Sequence, residues 1–344
     1  MKELLSSDLY CPFSSHINKH IDVLEEYALE WVTRFNLLAN ESVYRRFTKS
    51  NFFKLVAGAY PYCNLEKIKI ASDLFSWLFI WDDQCDMSDL GQQPEALKLF
   101  HQRFIEVLNG AELTSKDIHL SYALSDLRQR MLQIGSIKWF DHFVFSFEEY
   151  FAGCVQEASN RAQEIIPDID TYIRIRNLSS AGDLTVVLIE FCDQLLIPDI
   201  LRQHEIFKKL KEKTINILAW CNDIFSYSRE MASGDVHNLV LVLYYQQRLP
   251  LEIAIKRAVD IHDREVRELI ELEACLPSFG EEVDAELTKY ISGMYAWIRG
   301  NLDWYFNSDR YQTIERLELV ETLELDKSQS NMQVLSNMKV LLPS

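Results

Sequence analysis

The sequence is short of the residues that bend and break a chain. It has 10 glycines and 8 prolines among 344 residues, less than half the usual combined share of roughly 12%. That scarcity excludes turn-rich sandwiches, barrels and propellers and favours long helices. Positive charge is also short, with 35 Lys and Arg against 52 Asp and Glu and a net charge of −17. So acidic a chain excludes nucleic acid and anionic membrane as general partners; an anionic ligand needs a local cationic site or a bound metal. No apolar run approaches the ~18 residues of a membrane span. The opening MKELLSSDLYCPF lacks the apolar stretch of a signal peptide. The seven cysteines are scattered, odd in number and form no CxxC, the pattern of reduced core thiols in a cytoplasmic protein. GxSxG, the P-loop, HExxH and DxDD are missing too.

Apolar types make up 48% of the chain, ample for a core. Apolar spacing predicts helices near 16–38, 64–87, 95–108, 116–133, 138–165, 168–178, 183–195, 202–230, 251–275 and 280–306. No segment alternates with period two, so almost no strand is expected. One all-α, bundle-like domain over 1–311 follows, with 312–344 as a polar, weakly periodic and mobile tail. The run LFSWLFIW at 74–81 is apolar on every side, and such a helix belongs in the interior. Ligand sites in bundles lie between facing helices. His16 and His20 have i, i+4 spacing but no third ligand, and read as an exposed helix start.

Directly after the apolar run come Asp82, Asp83, Asp86 and Asp89. A helix C-terminus is an unfavourable place for anions. Asp82 and Asp86 share one helix face, and paired carboxylates there suit a hard divalent cation such as Mg2+. Taken alone, a solvated helix end is the better explanation of them. A second stripe, Asn222, Ser226 and Glu230, is spaced i, i+4, i+8; it drifts only about 80° over about 12 Å of helix. Amide, hydroxyl and carboxylate oxygens are all hard ligands, suited to Mg2+ already carrying a phosphate. Alone, this stripe reads as a polar surface. Arg229 lies beside it.

Together the two stretches resemble the metal motifs of class I terpene synthases (terpene cyclases). Asp82-Asp83-x-x-Asp86 is similar to the aspartate-rich motif, and Asn222-Asp223-x-x-Ser226-x-x-x-Glu230 to the NSE motif, 140 residues apart as in microbial members. Arg176, 46 residues before Asn222, resembles the diphosphate-sensing arginine. Ser179 and Ser180 match the linker and effector positions at a helix break over 179–182. Asp309-Arg310-Tyr311 resembles the closing Arg-Tyr pair, with Trp304 before it. The resemblance runs from about Pro12 to Tyr311.

What the resemblance implies is a single α-helical domain around a central apolar cavity. Three Mg2+ ions, held by Asp82, Asp86, Asn222, Ser226 and Glu230, would grip the diphosphate of a linear isoprenyl substrate. Arg176, Arg229, Arg310 and Tyr311 would bind that diphosphate, with Asp83 in support by pairing with Arg310. Aromatic rings would shield and stabilise the carbocation: Phe79, Trp304 and Phe75 first, then Phe52, Phe53, Tyr150 and Tyr305. Core packing is the competing explanation for each ring. Farnesyl diphosphate is the expected substrate and geranylgeranyl diphosphate the alternative; a monomer or homodimer is expected. A chain-elongating prenyl diphosphate synthase would carry two DDxxD motifs, whereas this chain has one. A non-catalytic helical binding protein would show no metal-dependent diphosphate release.

Overall fold

A computed structural model describes residues 9–86, 88–308 and 310. Among them there is helix and no strand. The helices are α1 (Ile21–Arg34), α2 (Glu41–Ser50), α3 (Phe52–Ala59), α4 (Leu65–Asp86), α5 (Pro94–Leu108), α6 (His119–Ile134), α7 (Ile137–Ala162) and α8 (Ile169–Ser179). They continue as α9 (Gly182–Asp193), the single turn α10 (Asp199–Arg202), α11 (Glu205–Ser233), α12 (Leu239–Gln246), α13 (Leu251–Ala274) and α14 (Glu281–Asn307). The expected all-α class is what is found. The tail from 312 lies outside the described residues.

The bundle is organised around α9. Every residue from Leu184 to Cys192 is buried, and the helix touches α4, α7, α8, α11 and α14. The apolar run of α4 is interior, as its composition requires. Trp77 meets Phe104 and Phe147 edge-on at 5.0 and 5.8 Å, and its indole N–H donates to the Leu120 carbonyl at 2.9 Å. Trp81 packs on Phe100 and Phe104. These contacts fix the direction in which α4 delivers its acidic end. α3 and α14 cross with their backbones touching: a Cβ added to Gly300 would stand 2.6 Å from the Gly58 carbonyl carbon. Only glycine permits that approach.

Three expectations need correction. The first helix starts at Ile21, later than its apolar spacing suggests. Asn18 is spent elsewhere: its side-chain amide donates to the Tyr60 and Cys63 carbonyls at 2.9 and 2.8 Å, pinning the preceding segment to the loop after α3. The helix expected at 116 starts at His119, because Asp117 turns back to pair with Arg103 at 2.7 Å. α12 was not anticipated. It is eight residues long and apolar on nearly all sides, so it shows no periodicity to read.

Candidate functional site

α4 ends in its three aspartates, and each faces a different environment. Asp83 takes a two-pronged bond from Arg310, Nη2 to Oδ1 at 2.7 Å and Nη1 to Oδ2 at 3.2 Å. Burial pushes the Asp83 carboxyl up, but the Arg310 charge and hydrogen bonds outweigh it and hold the group below the usual range. Arg310 is itself only 5% exposed. Its guanidinium lies over Phe52 and Phe79, 5.4 and 5.2 Å from their centroids. Those rings stack on each other at 3.9 Å, and both lean on Trp304, whose N–H donates to the Ser50 carbonyl at 2.8 Å.

Asp82 and Asp86 keep 48% and 40% of their side-chain surface open. Desolvation pushes both carboxyls up, and Asp86, with the Asp82 charge added, reaches about 7. Arg310 Nη2 stands 3.8 Å from Asp82.

The second stripe sits on α11. Ser226 is fully buried. Glu230 is pushed up to about 7 by burial and by the charges of Asp223 and Asp235. Asn238, which caps α12 by accepting from the Val240 N–H at 2.9 Å, donates its side-chain amide to Glu230 at 2.8 Å and Ser226 at 3.4 Å. Asp223 points away from the stripe. It accepts from the Tyr172 hydroxyl and the Leu239 N–H and pairs with Arg176 at 2.9 Å. Arg176 also donates to Asn222 Oδ1 at 2.6 Å. Asn222 in turn donates to the Tyr305 hydroxyl at 2.6 Å.

The two stretches converge. Arg229 Nη2 on α11 stands 3.9 Å from Asp86 on α4, and the charges of Arg176 and Arg229 reach Asp82. Arg161 on α7 ties the surroundings together. It bonds Asp235 beyond α11 at 3.0 Å, Glu157 at 3.2 Å and the Gly91 carbonyl beyond α4 at 3.4 Å. Burial raises the Asp235 carboxyl, but Arg161 outweighs that and holds it well below the usual range. Glu157 accepts from the Ser179 hydroxyl, so the same network reaches the break after α8. There Ala181 adopts a positive φ of 56°, and Ser180 Oγ accepts from the Gly182 N–H at 3.2 Å.

The sequence-expected residues thus fall into three placements. Asp82, Asp83, Asp86, Asn222, Ser226, Glu230, Arg176, Arg229 and Arg310 gather at one end of the bundle. Ser179 and Ser180 lie at the helix break, where their hydroxyls serve Glu157 and the Gly182 N–H. Asp309 and Tyr311 lie outside the described residues. Among the aromatics, Phe75 packs on Trp297 at 5.2 Å, Tyr150 is buried against Phe147 and Phe151, and Phe53 is buried on α3. Sequence reading missed Tyr172, Asn238, Arg161, Asp235 and Glu157. Only Asn238 left a trace, a capping residue shortly after the Gly234 stop.

The two stripes offer carboxylate, amide and hydroxyl oxygens, the donor type preferred by a hard divalent cation. Among the described residues no group of three or more His, Cys, Asp or Glu side chains could hold a metal by itself. A cation here would therefore draw on the Asn and Ser oxygens and on a ligand brought with it.

A sequence profile of the family described as "Terpene synthase family 2, C-terminal metal binding" matches residues 73–268. The chain is 60% identical over 311 residues to a germacrene A synthase of Nostoc punctiforme, covering 90% of this chain and 96% of that protein. It is 37% identical to a (+)-T-muurolol synthase ((2E,6E)-farnesyl diphosphate cyclizing) of Roseiflexus castenholzii, over 88% of this chain and 93% of the relative. Among solved structures it is similar to germacradien-4-ol synthase from Streptomyces citricolor, with TM-score 0.77, 26% identity, and 87% and 98% of the two chains covered.

Proposed function

The chain belongs to the terpene synthase family, and from that premise we propose that it cyclises (2E,6E)-farnesyl diphosphate to a sesquiterpene hydrocarbon with release of diphosphate. The observation that carries this reading is the meeting of the α4 acids with the α11 oxygen stripe, spanned by Arg229 and Asp86 at 3.9 Å. Asp82 and Asp86 on one side, and Asn222, Ser226 and Glu230 on the other, would hold magnesium, three ions in all. Bound there, magnesium would neutralise the charge that builds on the departing diphosphate.

The remaining steps belong to the chain's own residues. Arg176, Arg229 and Arg310 supply charge-assisted donors to the diphosphate oxygens, which is how a chain of net charge −17 receives an anion. Phe79, Phe52 and Trp304, beside Arg310, present ring faces and no nucleophile, so a cation near them is stabilised and kept from water. Phe75 and Trp297 extend that apolar wall deeper along α4 and α14. The Nostoc relative supports a hydrocarbon product of the germacrene type, formed by proton loss. The seven cysteines, all free thiols, support a reducing, cytoplasmic setting.

The test is incubation with C10, C15, C20 and C25 isoprenyl diphosphates, with and without Mg2+, read by gas chromatography–mass spectrometry. Cyclic C15 hydrocarbon from farnesyl diphosphate, only with the metal, is expected. Turnover confined to geranylgeranyl diphosphate would overturn the chain length, and no turnover of any substrate would overturn the reading.

A further inference from the structure

The side-chain amide of Asn222 is held at both ends. Its oxygen accepts from Arg176 at 2.6 Å, and its nitrogen donates to the Tyr305 hydroxyl at 2.6 Å. A guanidinium can only donate, so the amide oxygen must be the end that meets Arg176. The amide nitrogen must then be the end that meets Tyr305. We propose that Tyr305 is a positioning residue for Asn222: its hydroxyl holds the amide so that the oxygen stays turned toward the diphosphate side of the site.

Sequence reading placed Tyr305 among the rings that shield a cation. The structure gives its hydroxyl different work. The ring is only 4% exposed and stacks on Phe225 with centroids 4.8 Å apart and planes 8° from parallel. Trp304 flanks it at 4.9 Å. So confined a ring aims its hydroxyl in one direction, and groups that orient a metal ligand tune affinity without touching the metal. Without the hydroxyl the Asn222 nitrogen loses its acceptor, and the amide is held at its oxygen end alone, by Arg176. An amide fixed at one end only is a less well oriented, and so weaker, metal ligand.

This inference rests on Asn222 being a metal ligand, so the experiment separates the two. Mn2+ binding is followed by the electron paramagnetic resonance of free Mn2+ in the presence of inorganic diphosphate, against protein-free mixtures. Wild type is compared with Tyr305→Phe, Asn222→Ala and the double variant. Tyr295→Phe is the control: it deletes another hydroxyl of α14, one bonded to Glu273 and remote from the stripe. Tyr305→Phe is expected to weaken Mn2+ binding about tenfold; Tyr295→Phe should match wild type. In the Asn222→Ala background, removing the Tyr305 hydroxyl should change nothing further, the signature of action through Asn222. Wild-type affinity in Tyr305→Phe, or an equal further loss in the double variant, would overturn the proposal. Should wild type itself bind no Mn2+ with diphosphate, the metal assignment falls, and this inference with it.

Discussion

At the scale of single residues the site is a contest between charges that repel and cations that reconcile them. Asp86 and Glu230 are each pushed up to about 7, Asp86 by burial and Asp82, Glu230 by burial and its acidic neighbours. A folded-state value above the unfolded one means stability that is present at low pH and lost as pH rises through the folded value. The metal-free protein should therefore lose melting temperature between about pH 4 and 7, and Asp86→Asn or Glu230→Gln should flatten that slope. Differential scanning fluorimetry across the window checks this; a wild-type slope retained in both variants would contradict it. For turnover, Asp82→Ala and Asn222→Ala should each lower kcat/KM by at least about 10^2 to 10^3, the usual scale for removing a preorganised electrostatic contact. Circular dichroism should show unchanged helicity. Arg176→Lys belongs with them, because a point charge cannot reproduce the fork that spans Asn222 and Asp223.

At the scale of elements, the site depends on helices that end or cross in the right place. The break between α8 and α9 leaves Arg176 on one side and the buried α9 on the other, with Gly182 packed so tightly that a Cβ would stand 2.6 Å from Ile215. The α3–α14 crossing matters in the same way, since α14 carries Trp304 and Tyr305. Gly300→Val must force the two backbones apart. It should destabilise the fold by about 1–3 kcal/mol through overpacking, read in urea unfolding, and it should lower activity at temperatures where the variant is still folded. An unchanged midpoint would show that the crossing is loose. Arg161 acts between elements: one guanidinium serves the segments beyond α4 and α11 and, through Glu157, the end of α8. Its i, i+4 pairing with Glu157 is a local helical spacing, but the links that make it a tie between elements lie 70 and 74 positions away and leave no pattern in the sequence.

At the scale of the whole molecule, ligand binding should be visible as stability. Anything that binds only the folded chain stabilises it by mass action, about 2.7 kcal/mol at 100 times its Kd. Mg2+ with inorganic diphosphate should therefore raise the melting temperature more than either alone, because the acids and the arginines need both to be satisfied together. Equal shifts from the single ligands and the mixture would argue against a shared site.

The sequence by itself determined the helical class, the interior place of α4, and the two stripes of oxygen ligands. Each of these is a property of residues within a few turns of one another, and helical periodicity writes them directly into the order of the chain. It could not determine α12, whose short apolar span has no period, nor the late starts of α1 and α6, where Asn18 and Asp117 bond to remote partners. The pairing of Arg310 with Asp83, the hold of Arg176 and Tyr305 on Asn222, and the approach of Arg229 to Asp86 were decided only by the tertiary structure. These contacts join positions from 46 to 227 residues apart, and only the packing of helices around α9 brings such positions within bonding distance.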